Sequence, residues 1–152
     1  MLLAMLVLSF ESLAQTVLRD GTWVLTKRVL PDGTVLVPPA IQGRASTKDG
    51  INQLLVVWQT PEGKQASISM LSDWSESADQ ITAKLIVMIF DDGSGKPPVY
   101  DLSGRTNTVP IARSGKMSRY QHPLNQPMIE TDGNKTTAMV DGAFTDHWVR
   151  LN

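Results

Sequence analysis

Five of the dipeptides in which glycine follows an acidic residue divide the chain into short segments. They are Asp32-Gly33, Asp49-Gly50, Glu62-Gly63, Asp92-Gly93 and Asp132-Gly133. The glycine can take the positive φ angle that a tight hairpin turn requires, so each pair predicts a reversal of the chain. Reversals at this spacing leave little room for long helices and favour consecutive antiparallel strands.

The segments between the turns have the composition of β-strands. Predicted strands cover residues 22–30, 41–47, 51–59, 65–74, 80–90, 116–122, 128–131, 135–140 and 144–151. Ala66, Ile68 and Met70 alternate with mostly polar neighbours, which is the period of a strand with one buried face. We therefore predict an all-β fold, an up-and-down antiparallel barrel of eight or nine strands. The one helical feature allowed is a single turn at residues 75–80.

Two stretches depart from this pattern. Residues 85–90, from Leu85 to Phe90, are apolar on both faces, so the outer face must be covered by the N-terminal segment, a long loop or another subunit. A homo-oligomer formed through this strand is one of these alternatives. Residues 91–110 are rich in glycine and proline, which predicts a long loop with at most a short strand at residues 99–102.

The first predicted strand opens on Gly21-Thr22-Trp23, and Arg150 lies near the end of the last one. A Gly-x-Trp at this place in an all-β chain of this size resembles the signature of the lipocalin and calycin barrels. Over about residues 18–152 the chain is similar to small bacterial lipocalin-like domains, and avidin-type barrels open in the same way. The lipocalin resemblance implies that Trp23 lies at the closed end of the barrel, with Arg150 packed on its ring. The avidin resemblance implies instead that Trp23 stacks on a ligand.

Residues 1–14 have the pattern of a secretory signal peptide. Residues 1–8 are an apolar run, and Ser12 and Ala14 stand at the −3 and −1 positions of a cut. This predicts cleavage after Ala14, a secreted or periplasmic location, and a lipocalin-like domain of residues 15–152 without stable membrane insertion. No basic residue precedes the run, so a second interpretation stays open, in which this segment is buried against the barrel.

Charge and cysteine content exclude several classes of protein. The chain has 14 Lys and Arg against 15 Asp and Glu, and Lys27-Arg28 is its one adjacent basic pair. Nucleic-acid binding needs a clustered basic face, so no nucleic-acid partner is expected. The absence of cysteine rules out thiol catalysis and thiolate metal sites. The two histidines, His122 and His147, lack the spacing of a metal site, and neither a metal nor another cofactor is predicted.

Candidate ligand-binding residues are aromatic and polar side chains that suit a barrel interior. They are Trp58, Trp74, Tyr100, Arg119, Tyr120 and His122. A tryptophan joins an apolar body to one N–H donor, which suits a cavity wall as well as an ordinary core. Of the neighbours Arg119 and Tyr120, one is expected to face inward and to meet a ligand carboxylate.

Three functions are compatible with these features. The first is a non-catalytic protein that binds a small apolar or amphipathic ligand inside the barrel, as the resemblance implies. The second is a barrel enzyme of the isomerase, cyclase or dehydratase type that uses His122 or Tyr100 on an apolar substrate. The third is an interaction or oligomeric module whose barrel is filled by side chains. The sequence has no Gly-x-Ser-x-Gly and no phosphate loop, so binding is preferred. The size and lining of the barrel interior distinguish the three.

Overall fold

A computed structural model describes residues 20–151 of the chain. The predicted leader, residues 1–14, lies outside these residues. Between residues 20 and 151 all regular structure is β-strand, and no helix there is long and apolar enough to cross a membrane. The strands are β1 (Gly21–Val29), β2 (Val35–Leu36), β3 (Ile41–Lys48), β4 (Ile51–Gln59), β5 (Gln65–Glu76), β6 (Gln80–Asp91), β7 (Val99–Asp101), β8 (Thr106–Pro110), β9 (Ala112–Ser114), β10 (Met117–Gln121), β11 (Met128–Thr131), β12 (Lys135–Val140) and β13 (Phe144–Leu151).

All 13 strands belong to one antiparallel sheet, so the all-β prediction is confirmed. The order across the sheet is β7-β6-β5-β4-β3-β1-β13-β12-β11-β10-β9, with β2 paired to β1 and β8 paired to β6. Most neighbours follow each other in sequence, as in an up-and-down meander. Two pairs, β1 with β3 and β6 with β8, each pass over one intervening short strand. The one long-range pair is that of β1 and β13, in which Trp23 lies opposite Arg150. The sheet contains more strands than the eight or nine expected, because it includes four further short strands, β2, β7, β8 and β9. Of these the sequence indicates only β7, as the short strand allowed at residues 99–102.

Residues 91–110 hold more structure than the long loop that the sequence predicts. The glycines are confined to turns, where Gly93 and Gly95 have φ angles of 73° and 84°. The remainder forms β7, which pairs with the end of β6, and β8, which pairs with its beginning. The prediction that residues 75–80 can form a single helical turn is also wrong. Its first two residues extend β5, and the chain then reverses directly into β6.

Ile111 is the one residue between β8 and β9, and these two strands have different partners. β8 pairs with β6, whereas β9 pairs with β10. The Ile111 N–H donates a hydrogen bond of 2.8 Å to the carbonyl oxygen of Asp79. Residues 106–114 therefore contact strands that lie near opposite ends of the sheet order, although the hydrogen-bonded path itself is not closed.

The apolar core lies on one face of the sheet, in two clusters. The buried members are Leu25, Ile41, Val56 and Trp148 in the first, and Met70, Ala83, Leu85 and Leu124 in the second. Gly43 allows the first cluster to pack, because a Cβ at this position would lie 2.8 Å from both Leu25 Cβ and Trp148 Cη2. Ser72 is fully buried, and its hydroxyl has no hydrogen-bond partner within residues 20–151.

The apolar stretch at residues 85–90 lies in β6 and is only partly covered. Leu85 is buried in the core, while Ile86 and Phe90 are 41% and 39% exposed. A register shift between Leu71 and Ser72 of β5 lies opposite this stretch, and it changes which residues of β6 face inward. The expected cover of the outer face, by another segment or another subunit, stays a prediction.

Candidate functional site

A cavity of about 410 Å³ lies against the inner face of the sheet. Side chains from β1, β3, β4 and β5 line one side of it, and side chains from β9 to β13 line the other. Along β13 the lining residues are Phe144, Asp146 and Trp148, which is the alternation of a strand with one face turned inward. The volume falls in the range of pockets that hold small organic molecules, about 300–1,000 Å³.

The cavity reaches the protein surface at the hairpin between β9 and β10. Arg113, Gly115 and Lys116 are lining residues that are also exposed. Arg113 donates hydrogen bonds of 2.6 Å to the Glu76 carboxylate and 2.8 Å to the carbonyl oxygen of Ala78. These bonds attach β9 to the end of β5 and to the turn that follows it. One side of the cavity mouth is therefore held by an ion pair.

A buried ion pair lies at the opposite end of the strands. Arg28 donates through Nε and Nη2 to the two carboxylate oxygens of Asp146, at 2.6 and 2.7 Å. The guanidinium carbon lies 3.9 Å from the centroid of the Phe144 ring and 5.2 Å from that of Trp58. Burial raises the pKa of Asp146, and the hydrogen bonds and charge of Arg28 oppose this rise. The pair lines the cavity but presents little net charge to it.

Three aromatic side chains form a cluster on the cavity wall. The centroid of the Trp74 ring lies 6.4 Å from that of Tyr120 and 5.6 Å from that of His122. Trp74 comes from β5, Tyr120 from β10, and His122 directly follows β10. The predicted residues Trp74, Tyr120 and His122 are thus brought together at one place, and all three line the cavity.

Both titratable members of this cluster are held in their neutral forms. His122 is only partly exposed, and its accessible surface faces the cavity. Because protein atoms surround the cavity, burial lowers the pKa of His122 to about 4. Its Nδ1 accepts a hydrogen bond of 3.2 Å from the Leu124 N–H, so the proton of the neutral ring is on Nε2. Burial, together with the negative charge of Glu76, raises the pKa of the Tyr120 hydroxyl. At neutral pH the cluster therefore presents uncharged donors.

The Gly-x-Trp signature forms a second contact, through Trp23, which also lines the cavity. The guanidinium carbon of Arg150 lies 5.6 Å from the centroid of the Trp23 ring, the contact that the lipocalin resemblance implies. The Trp23 Nε1 donates to the carbonyl oxygen of Gly133 at 3.3 Å, and Arg150 donates to the carbonyl oxygen of Asp20 at 2.6 Å. A Cβ on Gly21 would lie 2.9 Å from the Arg150 Nε and 2.9 Å from the Trp23 ring. The close approach of these two side chains requires glycine at this position.

The other predicted site residues lie elsewhere. Tyr100 is 61% exposed on β7 and is not part of the cavity lining. Arg119 points away from the cavity, with its Nε 3.4 Å from a carboxylate oxygen of Glu130. Of the neighbours Arg119 and Tyr120, the tyrosine is the one that lines the cavity. Trp58 packs on the guanidinium of Arg28, outside the aromatic cluster.

Sequence reasoning missed the buried ion pair of the cavity wall, Arg28 and Asp146. Simple alternation from Trp23 would put Lys27 on the inner face of β1 and Arg28 on the outer face. A register shift between Leu25 and Lys27 reverses this order and brings Arg28 inward. A signal for Asp146 did exist, since it lies between Phe144 and Trp148 on the same face of the last strand, where a carboxylate needs a partner.

Metal binding and similarity to known proteins add no further assignment. Within residues 20–151 no group of three or more histidine and acidic side chains lies together in a way that could hold a metal ion. Comparison with protein-family models, with curated proteins and with solved structures finds no match. The cavity and the side chains around it therefore carry the functional assignment.

Proposed function

We propose that this protein is a non-catalytic, lipocalin-like binding protein that holds a small apolar or amphipathic molecule in the interior of its sheet. The observation that carries the proposal is the cavity of about 410 Å³, which is lined by strands from both halves of the sheet. Small-molecule sites combine apolar walls with polar groups that orient the ligand, and the lining of this cavity contains both kinds of side chain. The alternative of an interior filled by side chains is less well supported, because this space is left open.

Two features support the barrel part of the proposal. Residues 106–114 contact β6 through β8 and β10 through β9, which brings strands near opposite ends of the sheet order to one segment. The packing of Arg150 on Trp23, with Gly21 beside both, agrees with the lipocalin resemblance of the signature. On this proposal the β8–β9 segment closes the barrel, and Trp23 lies at one end of it.

The polar groups of the cavity favour binding over catalysis. A general base needs a free lone pair and a pKa near the working pH. The Nδ1 of His122 already accepts a hydrogen bond from the Leu124 N–H. The Asp146 and Glu76 carboxylates are both bound to arginines. None of these three residues can act as the general base that the enzyme alternative requires. On our proposal the protein therefore binds its ligand without transforming it.

Secretion belongs to the same proposal and is supported by the leader pattern of residues 1–14. Mass analysis of the protein recovered from the periplasm or the medium tests this part. A mature chain that starts at Gln15 is expected, and recovery of a chain that still starts at Met1 would contradict it.

The binding itself is tested with 1-aminoanthracene, a neutral fluorescent probe that is small enough for the cavity. We expect its emission to rise and the tryptophan emission to fall on binding to the wild-type protein. Ala138→Phe should weaken binding at least tenfold, because Ala138 lines the cavity and the new ring occupies it. Ala112→Phe is the matched control, since Ala112 is exposed and lies outside the lining. Absence of binding to the folded wild-type protein refutes the proposal.

A further inference from the structure

The aromatic cluster of Trp74, Tyr120 and His122 has a hydrogen-bonding capacity that the fold does not use. Trp74 Nε1 is a donor only, the Tyr120 hydroxyl is a donor and an acceptor, and His122 Nε2 carries the ring proton. Within residues 20–151 none of these three atoms has a hydrogen-bond partner. Ser72 Oγ is the one side-chain polar atom in this part of the chain that is both sealed from solvent and without a partner. The three cluster atoms therefore keep contact with the open space of the cavity.

We infer that this cluster binds the uncharged acceptor oxygen of the ligand, the carbonyl of a ketone, aldehyde or ester, rather than a carboxylate. The inference rests on the proposed binding function and specifies the class of ligand. Its basis is that three donor-bearing rings from two segments, β5 and the end of β10, lie together on the cavity wall, with ring centroids within 6.4 Å of the Trp74 ring. A carbonyl oxygen accepts two hydrogen bonds at once, so one such atom can satisfy two of the three donors that otherwise have no partner.

The charges around the cluster argue against an anionic ligand group. A carboxylate taken out of water needs a cation or several strong donors. Three cations line the cavity. The Arg28 guanidinium already binds both carboxylate oxygens of Asp146, Arg113 binds Glu76 at 2.6 Å, and Lys116 is exposed to solvent at the mouth and is not a member of the cluster. The negative charge of Glu76 acts on Tyr120 itself and would repel a second anion there. His122 is neutral at physiological pH and supplies a donor without a positive charge.

Three naphthalenes of nearly equal size test the inference. 2-Acetylnaphthalene carries a ketone, 2-naphthoate carries a carboxylate, and 2-isopropylnaphthalene has the same number of heavy atoms without any oxygen. Their dissociation constants are measured by displacement of 1-aminoanthracene at pH 7. We expect the ketone to bind most tightly, about 3- to 10-fold more tightly than the isopropyl compound for each hydrogen bond made. The carboxylate should bind most weakly of the three.

Variants of the cluster identify the donors. Tyr120→Phe removes one hydroxyl and keeps the ring, so it should weaken binding of the ketone about 3- to 10-fold and leave the isopropyl compound unchanged. Trp74→Phe removes the indole N–H and should act in the same direction. Tyr100→Phe is the matched control, because it removes the same hydroxyl from an exposed tyrosine outside the cavity. The infrared carbonyl band of bound 2-acetylnaphthalene gives an independent measure, and it should move to higher wavenumber in Tyr120→Phe.

The outcomes separate this inference from the function on which it rests. If all three naphthalenes bind equally and Tyr120→Phe changes nothing, the cavity binds apolar molecules and the carbonyl inference is wrong. Tightest binding of 2-naphthoate would also overturn the inference, in favour of an anionic ligand. If neither 1-aminoanthracene nor any naphthalene binds to the folded protein, the binding function and the inference fail together.

Discussion

Removal of the charge of Asp146 should cost this protein a large part of its stability. Only 8% of the Arg28 side chain and 4% of the Asp146 side chain are exposed, and two hydrogen bonds join them. Asp146→Asn keeps the shape but leaves Arg28 as a buried cation without a counter-ion. Breaking a buried pair in this way costs about 3–5 kcal/mol. This cost corresponds to a shift of the unfolding equilibrium of roughly 10²- to 10⁴-fold. It is a large part of the total, because domains of ordinary size are stable by about 5–15 kcal/mol.

The assay is urea unfolding followed by tryptophan fluorescence and by far-UV circular dichroism. Glu130→Gln is the matched control, because Glu130 pairs with Arg119 at 3.4 Å with side chains 36% and 61% exposed. An exposed pair contributes at most about 1 kcal/mol, so the control should unfold close to the wild-type urea concentration. Replacement of both partners, Arg28→Met with Asp146→Leu, removes the uncompensated charge and should recover most of the loss.

Two results would refute this reasoning. One is an equal loss of stability in Asp146→Asn and Glu130→Gln, which would mean that water reaches the Arg28 guanidinium. The other is a double variant less stable than Asp146→Asn alone. In that case the contacts of the guanidinium with Phe144 and Trp58 would contribute more than the ion pair.

Three further predictions concern single positions. Burial lowers the pKa of His122 from 6.5 to about 4, so only the unfolded chain takes up this proton as the pH falls through that window. Between these two pH values the free energy of unfolding of the wild-type protein should fall by up to about 1.4 kcal/mol for each unit of decrease in pH. In His122→Gln the free energy of unfolding, measured with urea, should lack this contribution to the pH dependence. Ser72→Ala should raise the free energy of unfolding by about 1 kcal/mol, because the buried hydroxyl has no partner within residues 20–151; a lower melting temperature would contradict this. Gly21→Ala should lower the free energy of unfolding by about 1–3 kcal/mol through its clash with Trp23 and Arg150. That loss should shrink when Arg150→Ala is added.

The strands that the sequence predicts well are those set by local chemistry. β4, β11, β12 and β13 have the bounds expected from the turn signals and apolar segments around them. The Asp132-Gly133 turn shows the reason, since the Asp132 carboxylate accepts hydrogen bonds from the backbone N–H groups of Asn134 and Lys135. Such a turn is specified by residues within a few positions of each other, so it can be predicted without knowledge of the fold.

Strand β8 could not be predicted in this way. Thr106–Pro110 is mostly polar and has no apolar alternation. It is held by distant contacts, in which Arg105 donates to the carbonyl oxygen of Leu124 and Asn107 donates to that of Pro123. These partners belong to the irregular segment after β10, so the pairing exists only once the fold has formed.

The candidate site was predictable to the extent that it depends on strand alternation. Tyr120 and His122 are two residues apart and reach the same cavity, as a period of two requires. Arg28 was not predictable, because the register shift in β1 leaves no signal in the local sequence. The neutral state of His122 was equally hidden, since it arises from burial and from the Leu124 N–H.

The pairing of β1 with β13 has a consequence for how the chain folds during synthesis. Arg28 and Asp146, which lie opposite each other in these strands, are 118 residues apart in sequence. At a translation rate of about 5–20 residues per second, β1 waits roughly 6–24 s for its second neighbour. During that time β1 can pair with β3 while its other edge stays open, and an open strand edge is a template for association with other chains. The edge of β1 that later pairs with β13 therefore stays open to association with other chains until β13 leaves the ribosome.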